Sequence, residues 1–121
     1  MISVSIIEDD KHYREGLETL ISNSRDFVVL HSYPSAEIAL PHIVAHPPRI
    51  AIVDIKLPGK NGIDLIGAIK KESPDIQCMV CSFYDDDEYV FNALKNGACG
   101  YILKDSMPND ILSSLKELHE G

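Results

Sequence analysis

Short apolar runs alternate with amphipathic segments along this chain, and the alternation repeats five times. The apolar runs cover residues 2–7, 27–30, 50–53, 76–81 and 101–103. The third and fourth runs are almost continuously apolar, which is typical of strands that helices cover on both faces. Between the runs, apolar residues recur at the spacing of a helix that buries one side.

The helix pattern is clear in four of the five amphipathic segments. Its apolar positions are Tyr13, Leu17, Leu20 and Ile21; Leu65, Ile66 and Ile69; Val90, Phe91 and Leu94; and Ile111, Leu112, Leu115 and Leu118. The segment near residues 35–46 is weaker, because Pro41 is expected to kink or shorten a helix there. The alternation predicts an α/β fold: a flavodoxin-like, doubly wound five-stranded parallel sheet in the order 2-1-3-4-5, with five helices.

Polar side chains follow four of the predicted strands. The first strand runs into Glu8 and Asp9, the third into Asp54, the fourth into Ser82 and the fifth into Lys104. In sheets of this order, ligands bind beyond the carboxyl ends of the strands, where the first and third strands are neighbours. Like-charged carboxylates about 5 Å apart would repel by roughly 3 kcal/mol at an effective dielectric constant of about 20. A raised pKa or a bound Mg²⁺, which prefers oxygen ligands, would relieve that repulsion.

These residue types suit phosphoryl transfer. Asp54 can act as a nucleophile toward a phosphoryl donor and form an acyl phosphate. Mg²⁺ and Lys104 would stabilise the charge on the phosphoryl oxygens, and Ser82 would donate a hydrogen bond to the new phosphate. The structural alternative is that acids after strands only cap helices, as Asp9 or Asp10 would at the start of the first helix.

The amino-acid composition restricts the kinds of partner and the cellular location that we expect for this domain. The 121 residues include 11 Lys and Arg and 19 Asp and Glu, for a net charge of −8. We therefore expect this domain to bind neither nucleic acid nor an anionic membrane by itself. With no transmembrane run and no signal-peptide pattern, a cytoplasmic location is expected. Cys78, Cys81 and Cys99 are expected to be free thiols, because the CxxC spacing of the first two falls on a strand and directs them to opposite faces.

Four stretches together resemble the receiver domain of bacterial two-component response regulators. They are residues 6–10, 53–62, 81–82 and 97–104. Residues 14–17, 85–90 and 100–105 are similar to segments typical of the NarL/LuxR subfamily. The resemblance covers residues 1–121 as one receiver domain and implies a helix-turn-helix output domain beyond this chain, which we expect to be part of a longer protein.

The resemblance implies a role for each matching residue. Asp54 would accept a phosphoryl group from a sensor histidine kinase, and Lys104 would contact that group. Asp9 and Asp54 would bind Mg²⁺ directly, Glu8 would act through water, and Lys56 would contribute its backbone carbonyl.

The resemblance also implies a switch pair. Ser82 would move toward the phosphate and Tyr101 would rotate inward to fill the space. The surface of the fourth helix, fifth strand and fifth helix would change as a result. We expect this change to control dimerisation or an attached DNA-binding domain, and so transcription. The domain would be a switch rather than a turnover enzyme.

Three positions depart from the common pattern of such receivers. Glu8 stands where Asp is more frequent, which a water-mediated role tolerates. Phe83 follows Ser82 where a small residue is usual, and we expect its ring to slow autodephosphorylation by restricting access. Asp105 stands where many receivers have proline, so the sequence leaves the geometry of the Lys104–Asp105 peptide bond open.

Three other functions remain as alternatives. A phosphatase or phosphotransferase with an aspartyl-phosphate intermediate would need an acid two residues after its nucleophile, where this chain has Lys56. A phosphorylation-independent receiver that acts as a binding module usually lacks part of the acidic pocket. A single-domain receiver that docks to a partner protein would differ only beyond residue 121.

Overall fold

The structure, a computed structural model, describes residues 1–84 and 86–120. The strands are β1 (Ile2–Ile7), β2 (Phe27–Tyr33), β3 (Ile50–Val53), β4 (Gln77–Ser82) and β5 (Ala98–Leu103). The helices are α1 (Lys11–Ser22), α2 (Ala36–Ala45), α3 (Gly62–Glu72), α4 (Asp87–Lys95) and α5 (Pro108–Glu120). All strand pairs are parallel in the order β2-β1-β3-β4-β5, which confirms the predicted fold. Asp85 and Gly121 lie outside the described residues.

The two faces of the sheet carry separate cores. One core packs α2, α3 and α4 against the sheet, and the other packs α1 and α5 against the opposite face. Along β4, Cys78 and Val80 belong to the first core, whereas Met79 and Cys81 belong to the second. The two cysteines of the CxxC spacing are therefore buried on opposite faces as free thiols, in agreement with the prediction.

Both edge strands are longer than the apolar runs predict. β2 continues to Tyr33 and β5 begins at Ala98, while the central β3 has the predicted bounds. An edge strand has a neighbour on one side only, so exposed residues such as His31 interrupt its apolar run without ending the strand. β4 is displaced by one residue from its predicted range and ends at Ser82.

Side-chain caps set the start of three helices. The Asp10 carboxylate accepts a hydrogen bond from the Tyr13 N–H at 3.2 Å, and Asn61 caps α3 in the same way. Ser35 caps α2, which continues to Ala45 past Pro41, so the proline does not end that helix. Among the described residues, no helix has both the length and the apolar character to cross a bilayer.

Helix α4 is attached to the molecule by few apolar contacts. Ala93 is its buried residue, and Tyr89 packs against the first core from a partly exposed position. Phe91 and Leu94, which have the spacing of a buried face, are 65% and 50% exposed. The helix is therefore where predicted, but much of its apolar side faces solvent.

Candidate functional site

Three carboxylates converge at the carboxyl edge of the sheet. Ile7 of β1 pairs with Val53 of β3, so the residues that follow them, Glu8 and Asp54, leave adjacent strands side by side. One carboxylate oxygen from each of Glu8, Asp9 and Asp54 lies within 4.8 Å of the other two. Glu8 is 2% exposed and Asp54 is 6% exposed, whereas Asp9 faces solvent. The crowding predicted from the strand ends is thus present.

Lys104 enters the same pocket from the end of β5. Its Nζ is 2.5 Å from Glu8 Oε1 and 3.3 Å from Asp54 Oδ2. Its backbone N–H donates a hydrogen bond to the Ser82 carbonyl at 2.8 Å. This bond continues the pairing of β4 with β5 to the ends of both strands. The Lys104–Asp105 peptide bond, left open by the sequence, is trans. The Lys104 ammonium therefore pairs with two of the three clustered carboxylates, and the cluster keeps an excess of negative charge.

Burial changes the titration of Glu8 and Lys104. Burial raises the pKa of the Glu8 carboxyl to about 7, although hydrogen bonds from Lys104 and from the Asp10 N–H favour its ionised form. Burial alone would lower the pKa of Lys104, but the hydrogen bond to Glu8 and the charge of Asp54 outweigh it and raise that pKa. Lys104 therefore stays charged while Glu8 titrates near neutral pH.

The Asp54 carboxylate is held by two different donors. Lys104 approaches Oδ2, and the backbone N–H of Lys56 donates to Oδ1 at 3.3 Å. The Asp54 backbone is fixed in turn by its own N–H, which donates to the Ile7 carbonyl at 3.0 Å. These contacts fix the orientation of the Asp54 carboxylate at the end of β3.

Gly62 allows the start of α3 to lie against the Asp54 backbone. A Cβ at this position would be 1.9 Å from the Asp54 carbonyl oxygen. The Gly62 N–H donates to the Ile55 carbonyl at 2.9 Å and closes the loop between β3 and α3. Gly62 lies in the stretch 53–62 that resembles receiver domains, but the sequence pattern did not single it out for this contact, although a glycine at the start of an amphipathic helix was a signal of a close backbone approach.

Tyr84 joins Ser82 and Tyr101, the two residues of the predicted switch pair. The buried Ser82 Oγ accepts a hydrogen bond from the Tyr84 N–H at 3.1 Å. The Tyr101 hydroxyl donates to the Tyr84 backbone carbonyl. A hydroxyl that accepts one bond still carries its own hydrogen, with which Ser82 can donate to a phosphate. Sequence reasoning missed Tyr84, because it acts here through backbone groups that every residue except proline has.

Two aromatic rings flank the Lys104 ammonium. The centre of the Tyr13 ring is 4.8 Å from Nζ, and the centre of the Phe83 ring is 5.4 Å from it. Phe83 is 66% exposed, so its ring lies on the solvent side of the pocket. This position agrees with the expected effect of Phe83 on access, which remains a prediction.

The chain is similar to known proteins over nearly its whole length. The family model described as "Response regulator receiver domain" matches residues 4–116. The transcriptional regulatory protein DegU of Brevibacillus brevis is 29% identical over 120 residues, which cover 99% of this chain and 51% of DegU. The nitrate/nitrite response regulator protein NarL of Escherichia coli (strain K12) is 30% identical over 119 residues, which cover 98% of this chain and 55% of NarL.

A solved structure is similar over the whole chain. The signal receiver domain of the response regulator NarL from Mycobacterium tuberculosis aligns with a TM-score of 0.94 and 28% identity, and the alignment covers 99% of this chain and 97% of that one. By contrast, this chain spans about half the length of the curated relatives it matches.

Proposed function

The chain belongs to the response regulator receiver domain family, and on that premise we propose that it accepts a phosphoryl group on Asp54 from a sensor histidine kinase and switches conformation in response. The observation that carries the proposal is the acidic pocket, in which Glu8, Asp9 and Asp54 converge and Lys104 contacts two of them. A receiver domain is a signalling module and not a turnover enzyme.

The donor set of the pocket fits Mg²⁺. Carboxylate oxygens are hard ligands, and three carboxylates beside one ammonium leave negative charge for a divalent cation to balance. Asp9 and Asp54 would hold the ion directly, with Glu8 acting through water and Lys56 through its backbone carbonyl. When bound, the ion would offset the negative charge of the transferring phosphoryl group.

The residues of this chain carry out the transfer of the phosphoryl group and the conformational change that follows it. An Asp54 carboxylate oxygen attacks phosphorus, and the bond from phosphorus to the donor breaks as the acyl phosphate forms. Lys104 supplies a fixed positive charge 3.3 Å from Asp54 Oδ2, where the phosphoryl oxygens gather charge. Ser82 donates a hydrogen bond to the product, and the inward rotation of Tyr101 carries the change to the surface of α4, β5 and α5.

Two observations favour this function over the alternatives. A phosphatase or phosphotransferase with an aspartyl-phosphate intermediate would need an acid at the position of Lys56, and the Lys56 ammonium donates a hydrogen bond to the Tyr89 hydroxyl. A phosphorylation-independent receiver usually lacks part of the pocket, whereas Glu8, Asp9, Asp54, Ser82 and Lys104 are present at the strand ends of this chain.

The names of the relatives indicate the process that the phosphorylated receiver controls. DegU is a transcriptional regulatory protein and NarL is a nitrate/nitrite response regulator, and each is about twice as long as the part that matches here. We propose that an output domain beyond this chain regulates transcription under control of the phosphorylated receiver. Dimerisation on phosphorylation and a cytoplasmic location remain predictions.

Intact-mass spectrometry after incubation with acetyl phosphate tests the phosphoacceptor. We expect one phosphoryl adduct on the wild-type chain that requires Mg²⁺, and none on Asp54→Asn. Asp75→Asn, which changes an exposed aspartate outside the pocket, should form the adduct as the wild type does. An adduct that persists on Asp54→Asn, or a wild-type chain that takes none from two different phosphodonors, would overturn the proposal.

A further inference from the structure

The Lys56 side chain crosses from the loop after β3 to the start of α4. Its Nζ donates a hydrogen bond to the Tyr89 hydroxyl at 2.8 Å and lies 5.1 Å from the centre of the Tyr84 ring. The same nitrogen is 5.0 Å from the centre of the Tyr89 ring, which puts it at the hydroxyl end of that ring and not over its face. Lys56 therefore makes one hydrogen bond and one cation–π contact.

The two tyrosines also contact each other. The centres of the Tyr84 and Tyr89 rings are 5.7 Å apart and the rings are tilted by 49°. We call the arrangement of Lys56, Tyr84 and Tyr89 the Lys56 bridge. It connects three segments: the loop that carries Asp54, the loop after β4, and the first turn of α4.

Both ends of the Lys56 bridge reach the proposed switch. At one end, the Lys56 backbone N–H donates to Asp54 Oδ1. At the other end, the Tyr84 N–H donates to Ser82 and the Tyr84 carbonyl accepts from Tyr101. A change at the Asp54 carboxylate thus reaches the Tyr101 hydroxyl through a continuous series of contacts.

Phosphorylation would act directly on the first of these contacts. An ionised carboxylate is a stronger hydrogen-bond acceptor than the neutral acyl oxygen that an acyl phosphate retains. The bond from the Lys56 N–H to Oδ1 would therefore weaken, and the Lys56 backbone would be displaced. Because α4 buries few apolar groups, a polar contact to its first turn has a large influence on its position.

We propose that Lys56 is a positioning residue that couples phosphorylation of Asp54 to α4 and Tyr101 through the Lys56 bridge. The proposal rests on Asp54 being the phosphoacceptor. It differs from the role of the Lys56 backbone carbonyl as a metal ligand, because it assigns the effect to the side-chain ammonium and its two tyrosine partners.

A double-mutant cycle on Lys56 and Tyr89 tests the coupling. Tyr89→Phe removes the hydroxyl that Lys56 donates to and keeps the ring, while Lys56→Met removes the ammonium and keeps the length of the side chain. Lys56→Arg retains a cation and donors. Lys71→Met removes an exposed lysine from the last turn of α3 and serves as the matched control.

The readout is the change in amide chemical shift of Tyr101 and of Asp87–Lys95 on phosphorylation with acetyl phosphate and Mg²⁺. Each change is divided by the phosphorylated fraction from intact-mass spectrometry. We expect Lys56→Met and Tyr89→Phe to reduce the response to less than half. Lys56→Met removes both the cation–π contact with Tyr84 and the hydrogen bond to Tyr89, and Tyr89→Phe removes that hydrogen bond. Each such contact contributes roughly twofold or more to an equilibrium constant. The double variant should show no further loss, and Lys56→Arg and Lys71→Met should respond as the wild type does.

Failure of the Lys56 coupling and failure of Asp54 phosphorylation would give different results in this experiment. A wild-type response per phosphoryl group in Lys56→Met and Tyr89→Phe would overturn the inference and leave Asp54 as the phosphoacceptor. A lowered melting temperature with an unchanged response would mean that the bridge only stabilises the loops, and would also overturn it. A wild-type chain without a phosphoryl adduct would overturn both.

Discussion

Glu8 is the residue through which pH acts on the pocket. Its pKa of about 7 means that it is largely protonated at pH 6 and largely ionised at pH 8. A metal ion requires the ionised carboxylate, so Mg²⁺ binding should strengthen and release protons between about pH 6 and pH 8. Calorimetric titration in buffers of different ionisation enthalpy measures both effects.

Glu8→Gln provides the control for that titration. The amide has a similar shape and carries no titratable proton, so its Mg²⁺ affinity should be weaker and should vary little over the same pH interval. A wild-type affinity that is equally flat from pH 6 to pH 8 would contradict a pKa of about 7 for Glu8 that is coupled to Mg²⁺ binding.

Phe83 provides a second prediction for a single residue. Its ring lies 5.4 Å from the Lys104 ammonium on the solvent side of the pocket, where it would hinder water from approaching a phosphorylated Asp54. We expect Phe83→Ala to lose its phosphoryl group several-fold faster than the wild type, measured by intact mass over time after removal of the donor. Phe91→Ala removes an equally exposed ring from α4, and its rate should stay at the wild-type value. Equal rates for both variants would contradict the role of Phe83.

Among the helices, the approach of α3 to β3 depends on one glycine. Because a Cβ at Gly62 would be 1.9 Å from the Asp54 carbonyl, Gly62→Ala should destabilise the fold by about 1–3 kcal/mol. It should also slow phosphoryl uptake by displacing Asp54. Urea unfolding and the adduct assay measure the two effects.

Gly16 gives the matched control within α1. It is exposed in the helix, and a Cβ there would meet nothing within 4 Å. Gly16→Ala should therefore stabilise the fold by about 0.5–1 kcal/mol, since alanine costs less backbone entropy in a helix. If the two alanine variants had the same stability, contact with Asp54 would not be the reason for glycine at position 62.

The elements differ in how far their sequences predict them. The buried strand β3 has the predicted bounds because both of its faces are apolar. The edge strand β2 does not, because residues such as His31 face solvent. In α4, helical spacing identified the helix from Phe91 and Leu94, but spacing alone cannot tell whether such a face meets the core or solvent.

Some residues of the candidate site could be predicted from the sequence, and others could not. Glu8, Asp54 and Lys104 could be predicted because strand ends in a parallel sheet meet at one edge. The contacts of Tyr84 and of the Lys56 side chain could not, because they depend on how the loop after β4 lies across the loop after β3. Backbone hydrogen bonds and cation–π contacts between separate loops leave no periodic pattern in the sequence.

Over the whole molecule, charge is distributed unevenly. The acidic pocket lies at the carboxyl edge of the sheet in a domain of net charge −8. At the opposite edge, Arg25, Arg49 and Lys116 line a cavity of about 510 Å³ together with Asp26. The domain thus has a strongly acidic end that draws cations toward Asp54 and an end where charges of both signs are mixed.

Because the pocket residues follow different strands, they are synthesised at different times. Asp54 and Lys104 are 50 positions apart in the chain, and Lys104 follows β5, the last of the five strands of this sheet in chain order. A nascent chain that has already made Glu8, Asp9 and Asp54 still lacks the ammonium that completes the pocket. The pocket is therefore completed only after β5 has paired with β4 and brought Lys104 to Glu8 and Asp54.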